Sequence, residues 1–365
     1  MSRPGARVAT VPAAHEPPPP RGTAQGGRHR ALRITLFVAG LAVLGAILAT
    51  VGWKSVAANL ALIGGWFAGL VALYALAQLA FALGWWVLTG PAPRPMSFGA
   101  LFTAYLGGDS INYFTGIGGE PVKAHLLGGK MGFGPAFATV WVHRNADVLA
   151  QWLFLFAGAV VTLTHFQLPP LARYLVVAGL LLLGGLALGF TTMQRRGFFG
   201  PILRQLLRIR PLASRLRHLE EDAHRLDEKI RLYYHAEEHR GQFALAVAWG
   251  VLGWCGGLVE TWIVLRLLSP HNTFASAFAI EALAMILNSI LFFIPGKIGS
   301  AEGIRLGVAA LVGLAPAQGA AYALVRRARE LIWLTPGIVV LLKHHLVDLG
   351  HLRMEKLDLS EDVPR

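Results

Sequence analysis

Charged residues are scarce in this sequence, and cysteine is nearly absent. Asp, Glu, Lys and Arg make up 15% of the 365 residues, whereas a soluble domain carries about 25%. The single cysteine, Cys255, excludes a disulfide framework and a cysteine-based metal site within the chain. Because hydrophobic residues make up 55% of the sequence, this balance favours a membrane protein over a soluble enzyme.

Long uncharged runs indicate how the chain meets the membrane. Asp, Glu, Lys and Arg are absent from residues 34–52, 55–93, 174–194, 241–259 and 306–325. A helix needs about 20 predominantly apolar residues to cross the hydrocarbon layer. The sequence therefore predicts an all-α fold, a polytopic transmembrane helical bundle.

The basic residues lie at the ends of the chain and between the apolar runs. The formal net charge is +13, but this distribution favours cytoplasmic flanks beside anionic lipid over a nucleic-acid-binding surface. We predict a disordered basic cytoplasmic tail at 1–33, a transmembrane domain at 34–345 and a cytoplasmic tail at 346–365. Residues 194–240 carry eleven Lys or Arg and seven Asp or Glu. We predict that they form a cytoplasmic amphipathic insertion, helical around 212–240.

Topology then requires that some apolar segments turn back inside the membrane. If the N-terminus and the insertion both face the cytoplasm, one segment between them fails to cross. Residues 98–116 are the best candidate, since Asp109 and Asn112 interrupt them. Residues 273–294 run into a similar break, and a second turn there places the C-terminus in the cytoplasm. We predict six crossings and two re-entrant hairpins. The helix breaks are predicted at Asn112, Gly118, Gly119, Pro295, Gly296 and Gly299.

The two broken regions resemble each other, which suggests an internal repeat. Arg144 follows Glu120 by 24 residues, and Arg326 follows Glu302 by the same spacing. In the predicted topology the two units insert with opposite orientation. Inverted repeats with interrupted helices are a frequent plan of transporters, in which the binding site lies where the repeats meet.

Charges inside apolar segments need a physical explanation, because each costs at least about 2.5–3.5 kcal/mol at mid-bilayer. Helical spacing allows Arg144 to meet Asp147 and Arg326 to meet Glu330. One interpretation is a structural ion pair that holds helices together, or a charged side chain that snorkels to the headgroups. The other is a polar cavity for a lipid headgroup, since the planar arginine fork binds two phosphate oxygens at once. The candidate cavity residues are Glu120, Lys123, Arg144, Asp147, Lys297, Glu302, Arg305, Arg326, Arg327 and Glu330.

Three further charged residues, Glu260, Arg266 and Glu281, also lie in apolar segments. Glu260 and Arg266 are predicted near the outer end of their span, and the role of Glu281 is ambiguous. The sequence contains no catalytic triad pattern, metal-ligand spacing, P-loop or dinucleotide fingerprint. We therefore predict no metal, no cofactor and no enzymatic activity.

Three stretches carry a family resemblance: Ile111 to Ala124, Phe293 to Gly303 and Leu324 to Glu330. They resemble the flippase-like membrane domain of bacterial lysylphosphatidylglycerol synthases, over roughly residues 34–345. The last stretch looks most like a stand-alone branch associated with hopanoid lipid synthesis. One departure is Lys297, where the family often has a second glycine.

The resemblance implies a lipid-translocating domain of the bacterial inner membrane whose partners are membrane lipids. The family's aminoacyl-transfer domain is not expected, because only about 20 residues follow the last apolar segment. A membrane-embedded transferase acting on a lipid-linked substrate and a non-transporting scaffold for lipid-synthesis enzymes remain alternatives. The identity of the lipid, the direction of movement and the oligomeric state are left open.

Overall fold

The computed structural model describes residues 53–90, 94–115, 118–209, 213, 216–290 and 299–344. Within these ranges the chain is helical and contains no strand, which confirms the all-α fold. The two predicted tails and first apolar run, together with Pro295, Gly296 and Lys297, lie outside the described residues. The helices with described bounds are α1 (Trp53–Ile63), α2 (Trp66–Val87), α3 (Phe98–Thr115), α4 (Gly119–Met131), α5 (Phe133–His165), α6 (Pro170–Arg196), α7 (Phe199–Leu207), α8 (Glu220–His235), α9 (Glu237–Leu268), α10 (Phe274–Ile290), α11 (Ser300–Leu311) and α12 (Pro316–Lys343).

Several of these helices suit a membrane. Four are long and apolar enough to cross one, namely α2, α5, α6 and, from His239 onward, α9, which agrees with the multi-span architecture. α12 has 28 residues, but four charged side chains between Arg326 and Glu330 lower its hydropathy. The count of six crossings and the re-entrant character of the two hairpins stay predictions.

Both breaks have a glycine with positive φ beside them. α3 ends at Thr115, and Gly118, with φ of 103°, precedes α4. Gly299, with φ of 76°, precedes α11 in the same way. Side chains with a Cβ rarely adopt these angles, so glycine is favoured at both positions. The prediction that Asp109 and Asn112 interrupt the helix is wrong, because α3 continues through both residues.

The insertion after α6 has different helix bounds from those predicted. α6 reaches Arg196, the short helix α7 follows, and the helix predicted around 212–240 is divided into α8 and the start of α9 at Glu237. Asp227 of α8 joins these elements. Its carboxylate accepts hydrogen bonds from the backbone N–H groups of Phe198 (2.9 Å), Phe199 (3.0 Å) and Gly200 (2.8 Å). These donors at the start of α7 would otherwise have no helical partner.

Helix α3 lies between the two broken units, since it packs against both α4 and α12. A Cβ added at Gly119 of α4 would lie 2.1 Å from the carbonyl oxygen of Gly108. On the other side, Ser110 Oγ donates a hydrogen bond to the Leu334 carbonyl at 3.2 Å. Two close contacts therefore fix α4 and α12 relative to one helix.

Candidate functional site

Asn112 organises the first helix break. Its side-chain oxygen accepts a hydrogen bond from the backbone N–H of Gly119 at 2.7 Å, and its Nδ2 donates to Glu120 Oε1 at 3.0 Å. The first N–H groups of α4 lack helical partners, so Asn112 satisfies one of them from the neighbouring helix. This contact also orients the Glu120 carboxylate.

Glu120 faces the charge cluster of α5 that the sequence predicts. Arg144 Nε lies 3.8 Å from Glu120 Oε1, and Arg144 Nη1 lies 3.4 Å from Asp147 Oδ2. The predicted contact between Arg144 and Asp147 is therefore present, and Arg144 also lies beside Glu120. The Arg144 side chain is 47% exposed, whereas those of Glu120 and Asp147 are 12% and 17% exposed. Arg144 thus stands at the edge of the cluster and the carboxylates lie inside it.

These residues border a small pocket of about 30 Å³, which has room for about two water molecules. One cation inside it, Lys123, makes no direct ion pair with any described residue, although the carboxylates of Asp109, Glu120 and Asp147 line the same pocket. Lys123 is only 6% exposed, and its ammonium lies 4.5 Å from the centre of the Tyr105 ring. Among the described residues it forms no hydrogen bond or ion pair, and Asp147 Oδ1 is likewise buried without a hydrogen-bond partner. The pocket is lined by Phe81, Tyr105, Asp109, Glu120, Lys123, Val140, His143, Arg144 and Asp147.

The second broken unit forms a matching set of ion pairs. Glu302, at the start of α11, accepts a hydrogen bond from the Gly299 N–H at 2.7 Å and pairs with Arg327. Arg327 also lies 3.5 Å from Glu330, just as Arg144 contacts both Glu120 and Asp147. Arg305 Nη2 lies 2.5 Å from Glu330 Oε1. Arg305 follows Glu302 by three residues, the same spacing as between Glu120 and Lys123.

The internal repeat stays a prediction. The contacts of Arg327, which follows Glu302 by 25 residues, resemble those of Arg144 more than the contacts of Arg326 do. The prediction that Arg326 pairs with Glu330 is wrong. Arg326 instead reaches Glu260 of α9 and Glu281 of α10, each at 3.0 Å. The opposite insertion of the two units stays a prediction.

Sequence reasoning missed the centre of this second cluster. Glu260 is fully buried and also binds Arg329 Nε at 3.0 Å. Arg329 is 1% exposed and stacks over the Tyr74 ring at 3.5 Å. Glu260 and Glu281 carried the same signal as the arginines, a charge inside an apolar helix. The partners of Glu260 and Glu281 depend on which helices pack against α9 and α10, and the sequence does not show that packing.

Tyr113 connects the two clusters. Its hydroxyl accepts a hydrogen bond from Arg327 and donates one to Glu330 Oε2 at 3.3 Å. The preceding residue, Asn112, binds the first helix break. The predicted cavity therefore corresponds, within the ranges described, to two adjoining clusters bridged by α3. Glu120 and Arg144 line the pocket, and Glu302 and Arg326 do not.

Comparison with known proteins places this arrangement in a family. A family described as the lysylphosphatidylglycerol synthase transmembrane region matches residues 31–337, which include both broken units. Neither a search of curated proteins nor a search of solved structures found a match. The relation to a stand-alone, hopanoid-associated branch stays a prediction. With most of its length matched, the chain belongs to the lysylphosphatidylglycerol synthase transmembrane-region family.

Proposed function

We propose that this integral membrane protein moves a lipid with a phosphate-bearing headgroup across the bilayer and binds that phosphate at the pocket beside Arg144. The family links the chain to lipid processing. The observation that carries the proposal is the pair of cations at this pocket: Lys123 is buried and forms no direct ion pair or hydrogen bond among the described residues, and Arg144 is half-exposed beside it. A phosphate oxygen would accept a hydrogen bond from the Lys123 ammonium.

The energetics separate this proposal from a purely structural role. Burying a charge without a partner is costly, so buried charges are normally paired. The arginines of the second cluster follow that rule, since Arg305, Arg326, Arg327 and Arg329 each contact a carboxylate. Lys123 makes no such direct contact within the part of the chain that the structure describes, although three carboxylates line its pocket. A structural ion-pair network explains the arginines of the second cluster and Arg144, but it does not explain the position of Lys123.

The geometry suits a headgroup that enters only in part. The pocket has room for about two waters, so it admits a phosphate oxygen rather than a whole headgroup. The oxygen would reach Lys123 while Arg144, at the half-exposed rim, binds the remaining oxygens with its planar fork. The glycerol or isoprenoid part would stay outside, which leaves both phospholipids and isoprenoid-type phosphates as candidate substrates.

Reconstitution into liposomes with fluorescent phospholipid tests the proposal. Movement between leaflets is measured by chemical quenching of the outer leaflet. We expect Lys123→Met and Arg144→Gln to reduce movement at least about tenfold, because a charge-assisted contact contributes about 1.5–3 kcal/mol. Lys130→Met, an exposed position on the same helix, and Arg225→Gln, 42% exposed, are the matched controls and should retain the movement.

The outcomes distinguish the alternatives. Unchanged movement in both pocket variants, with folded protein, would contradict the proposed site. Absence of movement in the native protein would favour the scaffold. We further propose that the lipid is not chemically altered, so mass spectrometry should recover it unchanged; a modified lipid would identify a transferase.

A further inference from the structure

A basic and apolar surface on the insertion lies outside both charge clusters. From Arg195 to Leu219 the sequence contains seven arginines and no acidic residue. Within the described part of this run, Arg195, Arg196, Arg204 and Arg208 are all exposed. Three large apolar side chains on or next to α7 are exposed as well, Ile202 (43%), Leu206 (36%) and Ile209 (47%). We call these seven residues the α7 surface.

The apolar part of the α7 surface occupies one side of the helix. Ile202 and Leu206 are four residues apart in α7, which places them on one face, and Ile209 follows two residues after the helix ends at Leu207. A different face packs inward, since Gly200 and Leu203 are buried. The exposed apolar face is therefore not needed to hold α7 on the protein.

The surface lies at the membrane boundary and is held firmly. α7 begins three residues after Arg196, the last residue of the spanning helix α6. Asp227 caps its first turn through three backbone hydrogen bonds. Helix α8, which carries Asp227, is tied to the bundle in turn, because Tyr233 donates to the Leu88 carbonyl at 2.8 Å. Burial raises the pKa of Tyr233 to about 12, so the hydroxyl keeps its donor proton.

We infer that the α7 surface docks onto the adjacent leaflet and binds its anionic lipid headgroups. Interfacial helices insert an apolar face at the headgroup boundary and keep basic residues on the polar side. Anionic lipids attract arginines near the surface, and the attraction decays within a Debye length. The exposed apolar surface is continuous in sequence with the exposed end of α6, where Leu188 and Met193 are 63% and 42% exposed. Lipid is thus the partner already present at this position.

A depth measurement on the full-length protein tests the inference. A fluorophore is attached at Leu206→Cys in a Cys255→Ala background, and the protein is placed in nanodiscs. Lipid-borne nitroxides and aqueous iodide serve as quenchers. In discs containing phosphatidylglycerol we expect strong nitroxide quenching and protection from iodide. In phosphatidylcholine alone, nitroxide quenching should fall. Arg204→Gln with Arg208→Gln should weaken docking about thirtyfold in the anionic discs.

Arg225→Gln with Arg231→Gln removes the same charge from α8 and should leave the quenching unchanged. Iodide access to the label in both lipid compositions would overturn docking. Equal nitroxide quenching in both compositions, insensitive to the arginine pair, would overturn the selectivity for anionic lipid. Protection that appears only in native membranes, and not in the discs, would identify a protein partner and overturn the lipid assignment. None of these readouts depends on lipid transport.

Discussion

The substitution Glu260→Gln tests how strongly the second cluster stabilises the fold. Glu260 is fully buried, and its two oxygens contact Arg326 and Arg329 at 3.0 Å each. Glutamine preserves the shape of the side chain but removes its charge. Its NH₂ group then faces one of the two guanidinium groups, and because both groups are hydrogen-bond donors, no hydrogen bond forms between them. Removing one partner of a buried ion pair costs about 3–5 kcal/mol. Glu260→Gln should lower the free energy of unfolding by that amount.

Glu120→Gln provides the comparison within the other cluster. Its partner Arg144 is 47% exposed and 3.8 Å away, although Glu120 itself is 12% exposed. We therefore expect a loss of roughly 1 kcal/mol, the upper end for exposed pairs, which is smaller than the loss for Glu260→Gln. The glutamine oxygen still accepts the hydrogen bond from Asn112. Unfolding by SDS in mixed micelles, followed by circular dichroism, measures both variants, with Glu221→Gln, at an exposed position of α8, as a control. Equal losses of unfolding free energy for Glu260→Gln and Glu120→Gln would refute the inference that the second cluster stabilises the fold more than the first.

Two further predictions concern α3. Gly119→Ala should lower the free energy of unfolding by about 1–3 kcal/mol, because the added Cβ would lie 2.1 Å from the Gly108 carbonyl oxygen; Gly129→Ala, with no atom within 4 Å, should be neutral or stabilising by up to about 1 kcal/mol. Micelle unfolding of both variants checks this, and equal losses would contradict it. Tyr113→Phe removes the hydroxyl that binds Arg327 and should slow lipid movement without a large stability loss, since Arg327 keeps its carboxylate partners. A full transport rate in folded Tyr113→Phe would show that the two clusters act independently.

Much of the fold follows from composition, because spanning helices are selected by length and hydropathy. The contacts of Arg144 follow from sequence as well, since Asp147 lies one turn away and Glu120 lies at the nearby helix break. The partner of Arg326 does not follow. Glu330 is also one turn away, but Arg326 faces α9 and α10. Which face of α12 meets which helix depends on packing across the bundle, and sequence spacing within one helix carries no information about it.

The broken units share a charge pattern but differ in how directly their charges pair. In the second cluster four arginines face four glutamates, including two from α9 and α10. In the first, Lys123 and Arg144 share a pocket with the carboxylates of Asp109, Glu120 and Asp147, but Lys123 contacts none of them directly. Among the residues with a described position, the first cluster therefore contains a cation without a direct carboxylate contact, whereas every arginine of the second contacts a carboxylate.

Helix α3 connects the two clusters through adjacent residues. Asn112 holds Glu120 at one site, and the next residue, Tyr113, holds Arg327 and Glu330 at the other. Under the proposed function, a phosphate that binds Arg144 would weaken its contact with Glu120 and leave that carboxylate held by Asn112. Because Tyr113 is the next residue of α3, any displacement of Asn112 that follows Glu120 would also move the Tyr113 hydroxyl relative to Arg327 and Glu330. The proposed function thus predicts that phosphate at the first cluster weakens the ion pairs of the second.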